Sequence, residues 1–127
     1  MKIDHVALWT NRLEEMKDFY VRHFQGVAGP RYTNPAKGFR SYFVQFQSGA
    51  RLELMTQESG LPGKADRNGI GYAHLAISVG SEAAVRGKTE ELRAAQVPVV
   101  GEPRWTGDGC FESVVSDPDG NRLEITI

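Results

Sequence analysis

Gly120-Asn121-Arg122-Leu123-Glu124-Ile125 echoes, at every position but the second, the residue types of an earlier stretch, Gly49-Ala50-Arg51-Leu52-Glu53-Leu54. A second echo precedes each: His5-Val6-Ala7-Leu8 returns as His74-Leu75-Ala76-Ile77. From His5 to Glu53 is 48 residues, and from His74 to Glu124 is 50. One such match can arise by chance. Two in the same order predict a single unit of about half the chain, used twice.

The local signals of the halves agree. Ile3 to Trp9 reads as a strand, and Asn11 with Glu14 reads as a helix-starting capping box. Met16, Phe19, Tyr20 and Phe24 follow at helical spacing, with Gly26 as the stop. Residues 41–47 and 51–56 read as two strands joined at Ser48-Gly49-Ala50. In the second half, His74 to Val79 reads as a strand. Ser81 is the expected cap of a helix with Val85, Thr89 and Leu92 on one face, weakened at Gly87. Val97-Pro98-Val99-Val100 is extended, because the residue before proline avoids the helical region. Residues 110–116 and 122–127 form a last hairpin. Asp117-Pro118-Asp119-Gly120 joins it with the residue order of a type I turn. Each half is thus strand, helix, then further strands. We read 1–127 as one domain, with module 1 about 1–58, a linker about 59–70 and module 2 about 71–127. The stretch from Gln57 to Gly71 is either a linker or an active-site flap.

Bulk properties exclude several functions. Fifteen basic residues nearly balance sixteen acidic ones, and the net charge of −1 offers no footprint for nucleic acid or an anionic membrane. No apolar run reaches the length of a membrane span, and the start lacks the apolar stretch of a signal peptide. The single cysteine, Cys110, excludes an internal disulfide and fits a reducing compartment, so a cytoplasmic protein is expected.

Alternation along strands locates the chemistry. Leu52 and Leu54 share a face and Glu53 points the other way; Leu123 and Ile125 share a face and Glu124 opposes them. Val6 and Leu8 oppose His5, and Leu75, Ile77 and Val79 oppose His74. If the halves bring these polar faces together, His5, Glu53, His74 and Glu124 converge in a cleft. Strand packing alone does not require a His and a Glu at matched positions twice. Two imidazoles and two carboxylates suit Zn, Ni, Co, Fe or Mn better than Cu(I). Four protein ligands leave two positions open on an octahedral ion, as catalysis requires.

The arrangement resembles the vicinal oxygen chelate superfamily, which includes glyoxalase I, extradiol dioxygenases, fosfomycin-resistance transferases and methylmalonyl-CoA epimerase. The resemblance spans nearly the whole chain. It rests on Asp4-His5-Val6-Ala7-Leu8, Asp18-Phe19-Tyr20, Arg51-Leu52-Glu53-Leu54, Gly71-Tyr72-Ala73-His74-Leu75-Ala76-Ile77 and Asp117-Pro118-Asp119-Gly120-Asn121-Arg122-Leu123-Glu124-Ile125. It implies an α+β fold of two βαβββ modules whose curved mixed sheets surround a metal cleft. The order His, Glu, His, Glu is similar to glyoxalase I, the lactoylglutathione lyase. That likeness implies one divalent ion per site (Ni, Co or Zn), a small-molecule substrate with a thiol cosubstrate, methylglyoxal detoxification and a homodimer. The site would lie within one chain or across two. Glu124 is then the expected base and Glu53 the opposing ligand.

Two positions depart from glyoxalase I. Trp9 stands where an arginine commonly holds glutathione, and Gln57 stands where an asparagine is common. An indole has one donor and no charge, so it does not replace a guanidinium. An epimerase or thiol transferase on another substrate, or a non-catalytic binder, are therefore the competing readings. Arg40, Arg104 and Lys64, in or beside loops, are the further candidates for substrate contact. Cys110 is expected to be a half-buried strand residue, and His23 a structural residue near its helix end.

Overall fold

The computed structural model describes residues 1–63 and 70–127. The chain forms two compact units, Met1–Lys64 and Ala65–Ile127. Lys64 lies outside the described residues.

In the first unit, strand β1 (His5–Trp9) is followed by helix α1 (Leu13–Phe24), short strands β2 (Val27–Ala28) and β3 (Tyr32–Asn34), and a 3-10 turn at Pro35–Lys37. Strands β4 (Phe39–Gln45) and β5 (Arg51–Gln57) complete it. The sheet order is β1-β5-β4-β2, with β3 also on β4. The β1–β5 pairing is parallel and the others antiparallel. A parallel pair needs a long crossover, and α1 lies within it. The helix buries Leu13, Met16, Phe19 and Tyr20 against the sheet that supplies Val44, Leu52 and Leu54. Each of these large aliphatic side chains contributes about 1.5–3 kcal/mol on full burial.

The start of α1 differs from the capping box read in the sequence. Arg12 occupies the cap without a side-chain bond, and Thr10 Oγ1 accepts from the Arg12 amide instead. Asn11 reaches across the unit: its amide nitrogen donates to the Leu61 carbonyl, and its oxygen accepts from the Leu61 amide. Glu14 accepts from Tyr42 of β4. A long-range pair of bonds outcompetes a local cap here. At the other end, Gln25 takes the left-handed conformation (φ 55°), not Gly26. Gly26 is required for space, since a Cβ there would lie 2.5 Å from Val44 Cγ1.

The second unit repeats the plan. Strand β6 (Leu75–Ser78) leads to helix α2 (Glu82–Ala94), then β7 (Val99–Trp105), β8 (Phe111–Ser116) and β9 (Arg122–Thr126). The sheet order is β6-β9-β8-β7, with β6 parallel to β9. Ser81 caps α2 as expected, its hydroxyl accepting from the Ala84 amide. Val85, Thr89 and Leu92 are fully buried. The hydroxyl of Thr89 meets that of Ser113 at 2.6 Å and donates to the Val85 carbonyl, so neither buried oxygen lacks a partner. The β8–β9 turn closes by a bond from the Gly120 amide to the Asp117 carbonyl, while Asp117 Oδ1 accepts from the amides of Asp119 and Asn121.

The second unit is βαβββ, the first follows the same plan with one further short strand, and neither sheet closes on itself. The extra strand of each module, obscure in the sequence, is β2 with its neighbour β3 in the first and β7 in the second. No helix among the described residues is long and apolar enough to cross a membrane.

Candidate metal centre

Parallel pairing sets the first half-site. His5 lies beside Arg51, and Ala7 beside Glu53, so His5 and Glu53 share one face two positions apart. Leu52, Leu54 and Thr56 occupy the opposite, buried face. The second unit uses the same register, with Ala76 beside Glu124 and Leu75 beside Leu123. His74 directly precedes β6 and falls where His5 falls in the first unit.

The two pairs are presented alike. The imidazole of His5 is 41% exposed and Glu53 16%; His74 is 42% exposed and Glu124 18%. His5 Nε2 stands 3.9 Å from Glu53 Oε2, and His74 Nε2 stands 3.1 Å from Glu124 Oε2. Two ligands at about 2.0–2.2 Å from a common ion, at ordinary coordination angles, lie about 3.0–3.5 Å apart. The His74–Glu124 separation fits that spacing, and the His5–Glu53 pair needs a small side-chain adjustment. The donor set of neutral imidazole nitrogen and carboxylate oxygen fits a borderline divalent ion. Among the described residues, no group of three or more His, Cys, Asp and Glu side chains is gathered tightly enough to hold an ion by itself. What each unit holds is a pair.

The surroundings of the pairs differ. Asp4 Oδ2 lies 2.9 Å from His5 Nδ1. A carboxylate only accepts, so Nδ1 carries a proton, and Nε2 is the nitrogen turned toward Glu53. Hydrogen bonds from His5 and then Arg51 hold the Asp4 carboxyl below its ordinary range. Phe43, in register with Glu53, meets the His5 ring edge-on at 5.4 Å. In the second unit Ala73 stands where Asp4 stands, and Val114 where Phe43 stands.

A third carboxylate accompanies Glu124. Glu112 is in register with Thr126, two positions beyond Glu124, and shares its face. Burial pushes the Glu124 carboxyl above its ordinary range; the His74 imidazole opposes this, and neighbouring Glu112 reinforces it. Sequence reading passed over Glu112. Alternation in Phe111-Glu112-Ser113-Val114-Val115 places it opposite the buried Phe111, Ser113 and Val115, the same signal that singled out Glu124.

The substrate candidates separate by face. Trp9 and Gln57 lie on the face of His5 and Glu53. Arg104 is in register with Glu112, 3.6 Å from its carboxylate, on the Glu124 face. Arg40 does not join them. It pairs with Thr56, next to Tyr42 paired with Leu54, and so lies on the helix side of β4, opposite Glu53. A one-residue offset in a strand reverses the face. Cys110 is exposed in the β7–β8 turn, not half-buried in a strand. His23 packs on Phe19 in the last turn of α1.

The family model of the Glyoxalase/Bleomycin resistance protein/Dioxygenase superfamily matches residues 2–125. The chain belongs to this superfamily. Its members act on or bind small molecules, commonly through a divalent metal. No curated protein matches the chain. Solved structures share the fold. A superfamily domain from Frankia sp. EAN1pec is 18% identical with a TM-score of 0.85, covering 100% of this chain and 97% of that one. The trypanothione-dependent glyoxalase I of Leishmania major is 23% identical with a TM-score of 0.80, covering 99% and 86%. Glyoxalase I from Zea mays is 19% identical with a TM-score of 0.82, and the present chain spans 44% of its length. At these identities the likeness concerns the fold.

Proposed function

We propose that this superfamily member is a metal-dependent lyase of the glyoxalase I kind. It would convert the hemithioacetal of a 2-oxoaldehyde and a thiol into a 2-hydroxyacyl thioester, a reaction that removes methylglyoxal. The observation that carries the reading is the His–Glu pair built twice in one register, His5 with Glu53 and His74 with Glu124. A purely structural face has no need of that repetition, and a non-catalytic binder has no need of an ion with open positions.

His5, Glu53, His74 and Glu124 would hold one divalent ion, Ni, Co or Zn, within one chain or across a homodimer. The bound ion supplies Lewis-acid stabilisation of the oxyanion that forms when carbon loses its proton. Glu124 takes that proton and returns it to the adjacent carbon. Asp4 orients His5, and Glu53 is the opposing ligand.

Trp9 favours a second reading, the same metal chemistry on a substrate that carries no glutathione. Metal-replete protein assayed for thioester formation from methylglyoxal with several thiols tests both. Thioester with any thiol supports the lyase; thioester with none, from protein that retains metal, ends that reading.

A further inference from the structure

The end of the first unit's polar face farthest from His5 is aromatic and uncharged. Trp9 lies two positions beyond Ala7 on the His5 face, beside Met55, which is itself in register with Ser41. Gln57 is in register with Phe39. Trp9 meets Phe39 edge-on at 6.0 Å, and Phe39 meets Tyr32 at 6.1 Å. The outer two rings remain 50% and 54% exposed. Large rings left half in water, on the same face as a pair of ionisable groups, are poorly explained as core. They fit a ligand-binding wall, where aromatic side chains line the apolar part of a small-molecule site.

The charge pattern says what such a wall takes. The side chains in register at this end, Trp9, Met55, Ser41, Gln57, Phe39, Tyr32 and Asn34, carry no charge. The cation on this face, Arg51, sits at the other end, bonded to Asp4 and stacked on Phe43 at 4.3 Å. An ionised carboxylate brought against this wall would lose water and meet neutral donors such as the Gln57 amide and the Trp9 indole, but no cation to offset its charge.

We propose that Trp9, Phe39 and Tyr32 form a recognition wall for an uncharged, flat apolar group, so that the cosubstrate is an aromatic or apolar thiol and not glutathione. The proposal rests on the reading of the His5–Glu53 face as a ligand face, but not on the metal or on turnover. An aromatic group gains offset or edge contacts with the rings as well as burial. Glutathione, with two carboxylates, gains neither.

The test follows the Trp9 indole N–H resonance in metal-free full-length protein, assigned with Trp9→Phe, during titration with benzyl mercaptan, 2-mercaptoethanol and glutathione. Benzyl mercaptan is expected to shift it with an affinity at least tenfold above glutathione. Trp9→Ala and Phe39→Leu, followed on neighbouring backbone resonances, should each weaken that binding about tenfold, while Trp9→Phe largely retains it. Equal or tighter glutathione binding, no binding of benzyl mercaptan, or unchanged affinity in Trp9→Ala and Phe39→Leu would overturn the proposal. So would an indole shift that follows protein concentration instead of ligand, because a second copy would then cover the wall. Loss of metal binding would remove the proposed lyase and leave this result standing.

Discussion

Glu124 shows how a carboxylate is prepared by its position. Its strand neighbours Leu123 and Ile125 are fully buried, its own face is partly so, and Glu112 stands close by. In the proposed lyase it moves the proton. Glu124→Gln keeps size and shape but cannot accept that proton, so turnover should fall by two or more orders of magnitude with an unchanged circular dichroism spectrum. Full activity in that variant sinks the assignment. Asp4 acts one step away, by fixing the His5 tautomer. Asp4→Asn should weaken Ni or Zn binding about 10–100-fold by calorimetry, as loss of an orienting partner commonly does. Asp4 also pairs with Arg51, so Arg51→Met is the control. An equal loss there would assign the effect to Arg51. His5 and Glu53 are legible in the sequence because alternation and repetition coincide on them. Arg40 is not, because nothing in a loop-edge sequence says which strand position it takes.

At the scale of elements, two glycines make opposite demands. A Cβ at Gly87, inside α2, would meet nothing within 4 Å. Gly87→Ala should therefore stabilise the protein by about 0.5–1 kcal/mol, through the entropy of the unfolded chain and helix propensity. A Cβ at Gly26 would strike Val44 Cγ1, and Val44 is fully buried. Gly26→Ala should destabilise by about 1–3 kcal/mol, as overpacking does. Urea unfolding reads both, and a shift of the same sign in the two variants contradicts the packing account. The sequence marks both glycines as unusual, one as a weak point and one as a helix end. For the second it suggests a conformational reason, whereas Gln25 takes the left-handed turn and Gly26 is needed for close approach. The capping box fails for a related reason. Asn11 looks locally like a cap, but its bonds go to Leu61, fifty residues away.

For the whole molecule, the decisive question is whether one ion uses both pairs. If it does, metal-free protein should gain about 2.7 kcal/mol of stability at a metal concentration 100 times the dissociation constant, reversed by chelator. His5→Ala and His74→Ala should each abolish most of that gain, with one ion per two pairs in the wild type. Half the stoichiometry with half the effect in each variant would mean two separate sites. The affinity should also fall as pH drops, because protons compete with the ion for its imidazole and carboxylate ligands. Thermal melts with and without Ni, at pH 6 and pH 8, read the sign directly.

What the sequence determined by itself was periodic and repeated: two modules of strand, helix and further strands, the buried aliphatic rows, the Ser81 cap, the Asp117–Gly120 turn, and the His and Glu that oppose those rows. Such features depend on neighbours within a few positions, or on comparing one half with the other, and both comparisons can be made along the chain. Beyond the two hairpins read along the chain, the tertiary structure decided which strands pair, and it set the register throughout. Only that register sets His5 against Glu53 and His74 against Glu124, brings Glu112 beside Glu124, turns Arg40 away, and lines Trp9 up with Phe39 and Tyr32. Most of those contacts join residues far apart in the chain, and pairing between strands that no tight turn joins leaves no local signal of which partner a strand takes.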